Sequence, residues 1–274
     1  MLPGGAYNGG MGDARPVGVF DSGLGGITVL REIRKQLPGE DCVYIADSSA
    51  APYGSKPPEA ILDRAYHLTD FLLEDGAKAI VVACNTASVV ALPALRARYD
   101  VPFVGVVPAI KPAAGMTRTG TIGVLATMTT ADSEPLARLI EDFAYGVKVV
   151  TRVCPGLVPM VERGEVAGQA VDELLRFCLA PLLDAGADVI VLGCTHYPFL
   201  SQAISRLCGP DVLLVDPAAA VARQLGRVLA ERELPNEQVK GTTTYYTTGE
   251  PVEFSRALTS MGAPPDSLIY HTEI

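Results

Sequence analysis

No apolar run in this 274-residue chain approaches the roughly 20 residues that a membrane-spanning helix needs, so no membrane partner is expected. The first fifteen residues, MLPGGAYNGGMGDAR, also lack the apolar stretch of a secretory signal. Rich in glycine, residues 1–15 read as a flexible leader without a chemical role. Basic charge is short: 22 Lys and Arg against 31 Asp and Glu leave a formal net charge of −9. That balance gives no electrostatic reason to expect direct binding to nucleic acid. An anionic small substrate would need local help from backbone N–H groups or helix N-termini. There is no CxxC pair, and six cysteines are too sparse for a disulfide framework in a chain this long, which points to a reducing cytoplasm. Neither standard nucleotide fingerprint occurs, and none of the six lysines stands in a recognisable Schiff-base setting. What remains is an ordinary globular composition, 49% apolar and 19% charged.

The chain repeats itself. Residues 71–84 read FLLEDGAKAIVVAC and residues 181–194 read PLLDAGADVIVLGC, with seven of fourteen positions identical at an offset of 110. A helix end, a Gly-Ala turn and a buried strand share apolar character by nature. Shared composition does not readily place Cys84 and Cys194 at the same closing position. A weaker match, VGVFDS at 17–22 against IGVLAT at 122–127, lies near the start of each half.

Between these anchors, short β-rich runs alternate with longer helical ones. Strands are expected at 16–20, 42–46, 79–83, 102–106, 121–125, 147–152, 188–192 and 212–215. Helices are expected at 25–37, 58–75, 87–98, 132–143, 166–184, 199–207 and 217–232. Such alternation predicts parallel sheets covered by helices, and runs such as IVVA and VIVL suit strands buried on both faces. The expected fold is therefore α/β: two similar parallel-sheet domains related by a pseudo-two-fold, with the active site in the cleft between them. Ligands of such sheets sit beyond the carboxyl ends of strands, where both repeated cysteines fall.

Four polar segments follow apolar strands: Asp21-Ser22-Gly23, Pro52-Tyr53-Gly54-Ser55, Cys84-Asn85-Thr86 and Cys194-Thr195-His196. Singly, each has a structural explanation. A strand-end cysteine is commonly core, Asn and Thr cap helices, and DSGLGG serves as a tight turn or a phosphate loop. Together they suggest more. Racemisation at a Cα removes a proton from one face and delivers another to the opposite face, which suits two similar bases on facing walls. A helix N-terminus favours the thiolate of Cys84, and a protonated His196 would favour that of Cys194; burial works against both. Other uses of the same residues stay open at this point. Cys194 and His196 are a thin metal site without nearby Cys or His partners, so no metal is expected. A Cys-His hydrolase would pair a thiol nucleophile with His196, although an i, i+2 spacing at a strand end does not by itself bring the two side chains together.

At these residues the sequence resembles the glutamate racemases of bacterial cell-wall synthesis, within the aspartate/glutamate racemase superfamily. The matching segments are VGVFDSGLGG (17–26), PYGSK (52–56), ACNTAS (83–88), VGVVPAIKPA (104–113), VPMVERGE (158–165), GCTHYPFL (193–200) and YYTTGE (245–250). The resemblance implies a cofactor-independent interconversion of L- and D-glutamate that supplies D-glutamate for peptidoglycan, in the cytoplasm, by a homodimer. It implies that Cys84 takes the proton from D-glutamate and Cys194 from L-glutamate. Asp21 and His196 would assist these thiols, with Glu162 as a further acidic residue on the second side. Asp21, Ser22, Pro52, Tyr53, Gly54, Ser55, Asn85, Thr86, Thr195 and His196 would bind substrate. The same resemblance implies a discontinuous first domain, 16–108 plus 219–274, around a second at 109–218.

One departure stands out. Where the family commonly has Gly-Asp-Thr-Ala-Arg before its Pro-Tyr-Gly, this chain reads Ala46-Asp47-Ser48-Ser49-Ala50-Ala51, which keeps the Asp and lacks the Arg. Aspartate racemases usually carry Glu in place of His196 and lack the Asp-Ser-Gly at 21–23, so both features favour glutamate. An aspartate or hydantoin racemase is the alternative within the superfamily, and a catalytically silent binding protein of this fold the alternative outside it.

Overall fold

Runs such as VGVFD and VIVLG carry apolar side chains on both faces of the pleat, which only a strand covered on both sides can bury. The computed structural model describes residues 12–236, 238–260 and 269–274, and it makes each such run a parallel strand. The first half contains β1 (Val17–Asp21), α1 (Ile27–Gln36), β2 (Cys42–Ala46), α2 (Pro58–Glu74), β3 (Ala79–Val82), α3 (Asn85–Arg98) and β4 (Phe103–Gly105). There follow α4 (Ile110–Met116), β5 (Thr121–Ala126), α5 (Met128–Ala131), α6 (Glu134–Phe143), β6 (Lys148–Val153), α7 (Leu157–Glu162), α8 (Gln169–Asp184), β7 (Val189–Gly193), α9 (Ser201–Cys208) and β8 (Leu213–Val215). The chain closes with α10 (Ala218–Glu231), β9 (Thr243–Thr247), α11 (Pro251–Ser260) and β10 (Ile269–His271).

Among the described residues the strands form two sheets, ordered β10-β9-β2-β1-β3-β4 and β6-β5-β7-β8, with every pairing parallel. The order β2-β1-β3-β4 thus recurs as β6-β5-β7-β8, the expected pair of similar α/β units. Detail follows the sequence repeat. Gly76 and Gly186, which close the helices before β3 and β7, both take left-handed φ, +83° and +85°, at little steric penalty. Gly18 pairs with Ile80 in register and Gly123 with Ile190. A Cβ at Gly18 would press on Leu72, and one at Gly123 on its counterpart Leu182, so both glycines let a helix lie close to the sheet.

Helices bury both faces of each sheet. Val17 and Val19 pack with Leu30, Ile33 and Leu225, while Phe20, Ile80 and Val82 pack with Ile61, Leu68 and Leu95. In the second sheet Ile190 and Leu192 meet Leu175, Leu179 and Ile204, and Ile122 and Val189 meet Ile110 and Leu136. Each such side chain contributes about 1.5–3 kcal/mol on full burial.

Two strands and several helices were not anticipated. β9, TTYYT, buries only alternate residues, Tyr245 and Thr247, so it lacks the continuous apolar run of a central strand. β10 spans three residues, and α4 and α7 are short and contain proline. Of the expected leader, residues 1–11 lie outside the described residues. Its end is tied down: Asp13 N–H donates to Pro235 O at 3.1 Å, and Lys78 Nζ donates to Asp13 O at 2.5 Å. No helix among the described residues is long and apolar enough to cross a membrane.

Candidate active site

Parallel strands deliver their carboxyl ends to one edge, where the next helix starts and offers unpaired N–H groups. Cys84 occupies such a start as the residue capping α3. Its Sγ accepts a hydrogen bond from Ala87 N–H at 3.5 Å, and its thiol donates to Ser22 Oγ at 3.7 Å. Burial pushes this thiol well above its ordinary value and the negative charge of Asp21 adds to the rise, only partly offset by Ala87 N–H and Ser22.

Cys194 follows β7 in the second sheet. Its Sγ lies 3.8 Å from His196 Nδ1, and His196 Nε2 lies 2.5 Å from Glu162 Oε1 at the end of α7. The same carboxylate oxygen accepts from Leu24 N–H at 2.8 Å, which ties the second unit to the first. Burial opposes charge on the His196 ring, but the hydrogen bonds to Cys194 and Glu162 outweigh it and raise the ring well above its ordinary value. The spacing that gave no assurance of contact between Cys194 and His196 does produce one.

Asp21 sits at the end of β1, fully buried, with Gly23 N–H donating to Oδ1 at 2.8 Å and Thr195 Oγ1 donating to Oδ2 at 3.0 Å. Burial lifts its carboxyl to about 6, against the lowering effect of charged His196 and these two donors. The glycines of DSGLGG now have a reason. A Cβ at Gly23 would run into the Glu162 carboxylate, and one at Gly25 into the His196 ring and Thr195. The loop is a close-approach surface for the second unit.

Both thiols open onto one cavity of about 490 Å³. Its wall includes Ser22, Pro52, Tyr53, Gly54, Ser55, Cys84, Asn85 and Thr86 from the first unit, and Cys194, Thr195 and His196 from the second. Asp21 and Glu162 stand behind this wall, touching it through Thr195 and His196. Asn85 is 1% exposed, yet neither its Oδ1 nor its Nδ2 has a hydrogen-bond partner. A buried amide left unsatisfied costs about 1–3 kcal/mol, so a polar ligand in the cavity has a donor and an acceptor waiting. Among the described residues no three His, Cys, Asp or Glu side chains gather in a way that could hold a metal ion.

The model of the Asp/Glu/Hydantoin racemase family matches residues 17–225, well over half of the chain. The chain belongs to that racemase family. Curated and solved members agree with the assignment. Glutamate racemase of Pseudomonas aeruginosa is 47% identical over 257 residues, covering 93% of this chain and 97% of that protein. The structure of glutamate racemase isoform RacE1 from Bacillus anthracis superposes with a TM-score of 0.85 at 32% identity, covering 94% of this chain and 97% of that one. The Escherichia coli glutamate racemase, solved with L-glutamate and the activator UDP-MurNAc-Ala, gives 0.83 at 34% identity, covering 94% and 98%.

Sequence reasoning missed several residues of this racemase-family cavity. Thr127, Thr129 and Cys154 line it from the second unit. Thr127 Oγ1 lies 2.9 Å from Thr86 Oγ1, and Thr129 Oγ1 donates to Gly54 O at 3.2 Å, two further contacts between the units. The signal was present for Thr127, which is the repeat counterpart of Ser22. Arg64 was missed too, and it answers the departure before Pro52. From α2 it makes two hydrogen bonds to buried Asp47, which also accepts from Tyr53 OH at 2.5 Å and Thr248 Oγ1 at 2.8 Å. A guanidinium distant in sequence thus braces the loop that lacks its own. His67 Nδ1 lies 3.8 Å from Asp63 Oδ2 on the surface of α2.

Proposed function

We propose that this chain interconverts L- and D-glutamate without a cofactor, removing the Cα proton with one cysteine and replacing it from another. The observation that carries the reading is the pair of thiols, each at the end of an equivalent strand, lining one cavity from its two sides. In this reading Cys194 takes the proton of L-glutamate and Cys84 returns one to the other face; with D-glutamate the roles exchange. Burial keeps Cys84 protonated at rest, which suits it to donate first. Charged His196 puts a proton donor and a positive charge beside Cys194, and Glu162 holds that ring in place. Asp21 is the acidic partner on the Cys84 side.

Removing the Cα proton moves negative charge onto the substrate carboxylate, so fixed donors around it stabilise the transition state. Asn85, with its unpartnered amide, Thr86, Ser22 and Thr195 are suited to that task, and the Pro52-Tyr53-Gly54-Ser55 segment to the rest of the substrate. The product D-glutamate serves peptidoglycan synthesis. A cytoplasmic homodimer, and domains at 16–108 plus 219–274 and 109–218, belong to the same reading; sheet membership supports the division.

The test is racemisation by purified protein without added pyridoxal phosphate or metal, run in D2O across glutamate, aspartate and their amides. Expected is glutamate product deuterated at Cα while early unreacted substrate stays protiated. Equal early deuteration of substrate and product would instead indicate a single base. Because Cys194, His196 and Glu162 form a chain resembling a hydrolase triad, ammonia release from the amides is measured in the same assay. Hydrolysis without racemisation would overturn the proposal.

A further inference from the structure

Within the buried strand β2, CVYIA, the ring of Tyr44 is stacked 6.4 Å from that of Phe254 and lies 6.1 Å from that of Tyr245, centroid to centroid. Its side chain is fully buried, and a hydroxyl at that depth needs a partner. It donates to Gly23 O at 2.6 Å, in the loop that follows β1. Gly26 leaves room for it, since a Cβ there would lie 2.9 Å from the hydroxyl oxygen. The carbonyl that accepts from Tyr44 belongs to the peptide group joining Gly23 to Leu24. So does the Leu24 N–H that Glu162 Oε1 accepts at 2.8 Å. A peptide group is planar and trans, so its C=O and N–H point in opposite directions, and fixing one end aims the other. Polarisation runs the same way: a donor on the carbonyl makes the N–H a better donor, by about 10–30% per bond. The chain of hydrogen bonds then runs from Tyr44 OH through this peptide group to Glu162 Oε1 and His196 Nε2, with His196 Nδ1 3.8 Å from Cys194 Sγ.

We propose that Tyr44 is a positioning residue for the Cys194 side of the site, acting through this one peptide group on the carboxylate that holds the His196 ring. Glu162 Oε1 serves two donors, Leu24 N–H and His196 Nε2. Whatever weakens the first leaves the oxygen more basic towards the second. Without the Tyr44 hydroxyl the ring should therefore keep its proton to higher pH, the reverse of what losing the Glu162 charge does.

Tyr44 is not among the residues that line the cavity, so its reach to the chemistry is indirect. The titratable groups that face the His196 ring are Cys194, Glu162 and Asp21. Those that face the Tyr44 hydroxyl are Asp21, Glu162, Cys84 and Tyr245. Asp21 and Glu162 are common to both, and the peptide group singles out Glu162, because its N–H ends there.

Tyr44→Phe keeps the stacked ring and removes only the hydroxyl. By NMR titration of the full-length protein, the His196 ring should lose its proton about a few tenths of a pH unit higher than in the parent, and the Leu24 amide proton should move upfield. The kcat for glutamate should fall severalfold while KM stays near the parent's. In a Glu162→Gln background the same substitution should leave the ring titration nearly unmoved; in an Asp21→Asn background the shift should persist in full. A shift of equal size with and without the Glu162 charge would overturn the proposal, as would its disappearance in Asp21→Asn. A reciprocal measurement leaves Tyr44 intact and guards against a phenylalanine variant that folds poorly. Glu162→Gln should move the Tyr44 13Cζ resonance, and an unmoved resonance would also overturn the proposal. The effect on kcat rests on the glutamate reading and the titrations do not. A parent without glutamate racemisation would sink that reading, and the titrations would still decide the role of Tyr44.

Discussion

Replacing Glu162 with glutamine removes one negative charge while keeping an oxygen where Leu24 N–H and His196 Nε2 both find an acceptor. The change therefore isolates charge from shape. Burial alone would push the His196 ring below 6.5, and the bonds to Cys194 and Glu162 are what raise it. A hydrogen bond to a charged acceptor contributes about 1.5–3 kcal/mol and one to a neutral acceptor about 0.5–1.5, a difference of about 1–1.5 kcal/mol. At about 1.4 kcal/mol per pKa unit, glutamine should lower the ring by about one unit. The charged ring is present below its folded-state pKa and lost as pH rises through it. Its loss should therefore come at lower pH in the variant, drawing the alkaline limb of kcat/KM down by about one unit. The assay is the decay of L-glutamate ellipticity across pH, with NMR titration of the His196 ring as the direct check. An alkaline limb that stays put while the ring remains charged would refute the reasoning.

Three further outcomes are expected. Cys84→Ala and Cys194→Ala should each abolish racemisation, read by chiral chromatography of glutamate after long incubation; full activity in either would remove the two-thiol assignment. Asp21→Asn should gain stability at neutral pH as it loses activity. A carboxyl raised from 3.8 to about 6 binds its proton more tightly when folded, so its stability contribution is present at low pH and lost as pH rises through about 6. Two units correspond to about 3 kcal/mol at pH 7, a gain that urea unfolding should show shrinking to nothing near pH 4. Arg64→Ala leaves the Asp47 carboxylate buried without its cation. It should cost about 3–5 kcal/mol in unfolding free energy and raise KM through Tyr53, whose hydroxyl Asp47 holds.

What could be read from the sequence was what neighbours along the chain decide. Buried strands announce themselves as apolar runs, and a left-handed turn as the glycine it needs, so β3 and β7 with Gly76 and Gly186 were legible together with the cysteines that end them. The strands after α10 were not, because β9 buries only alternate residues, its TTYYT carries no apolar run, and β10 is only three residues long. Contacts made by distant segments left no local mark. Glu162 reaches Leu24 across 138 residues, and Arg64 supplies the guanidinium missing beside Asp47 from a different helix. Thr127 lay between these cases: the repeat paired it with Ser22, and only its contact with Thr86 shows what the pairing is for.

The two halves are alike in backbone and unlike in what stands behind each thiol. Cys84 has a helix N-terminus, a serine and a buried acid; Cys194 has an imidazole and a carboxylate. That asymmetry has no effect on the balance of the reaction, because enantiomers have equal free energies and the equilibrium constant of racemisation is one. It follows that kcat/KM must be the same from L- and from D-glutamate, in the parent enzyme and in every variant. A change behind one thiol therefore lowers both values together and cannot by itself reveal which thiol serves which face. The asymmetry becomes visible only in quantities that separate the two proton transfers, such as kcat for each direction or the isotope effect of Cα-deuterated substrate. Unequal surroundings are what that constraint allows: burial and the Asp21 charge favour the protonated form of Cys84, while Cys194 has the His196–Glu162 pair beside it. The duplicated fold supplies two equivalent strand ends, and the differences between the halves give each thiol its own partners.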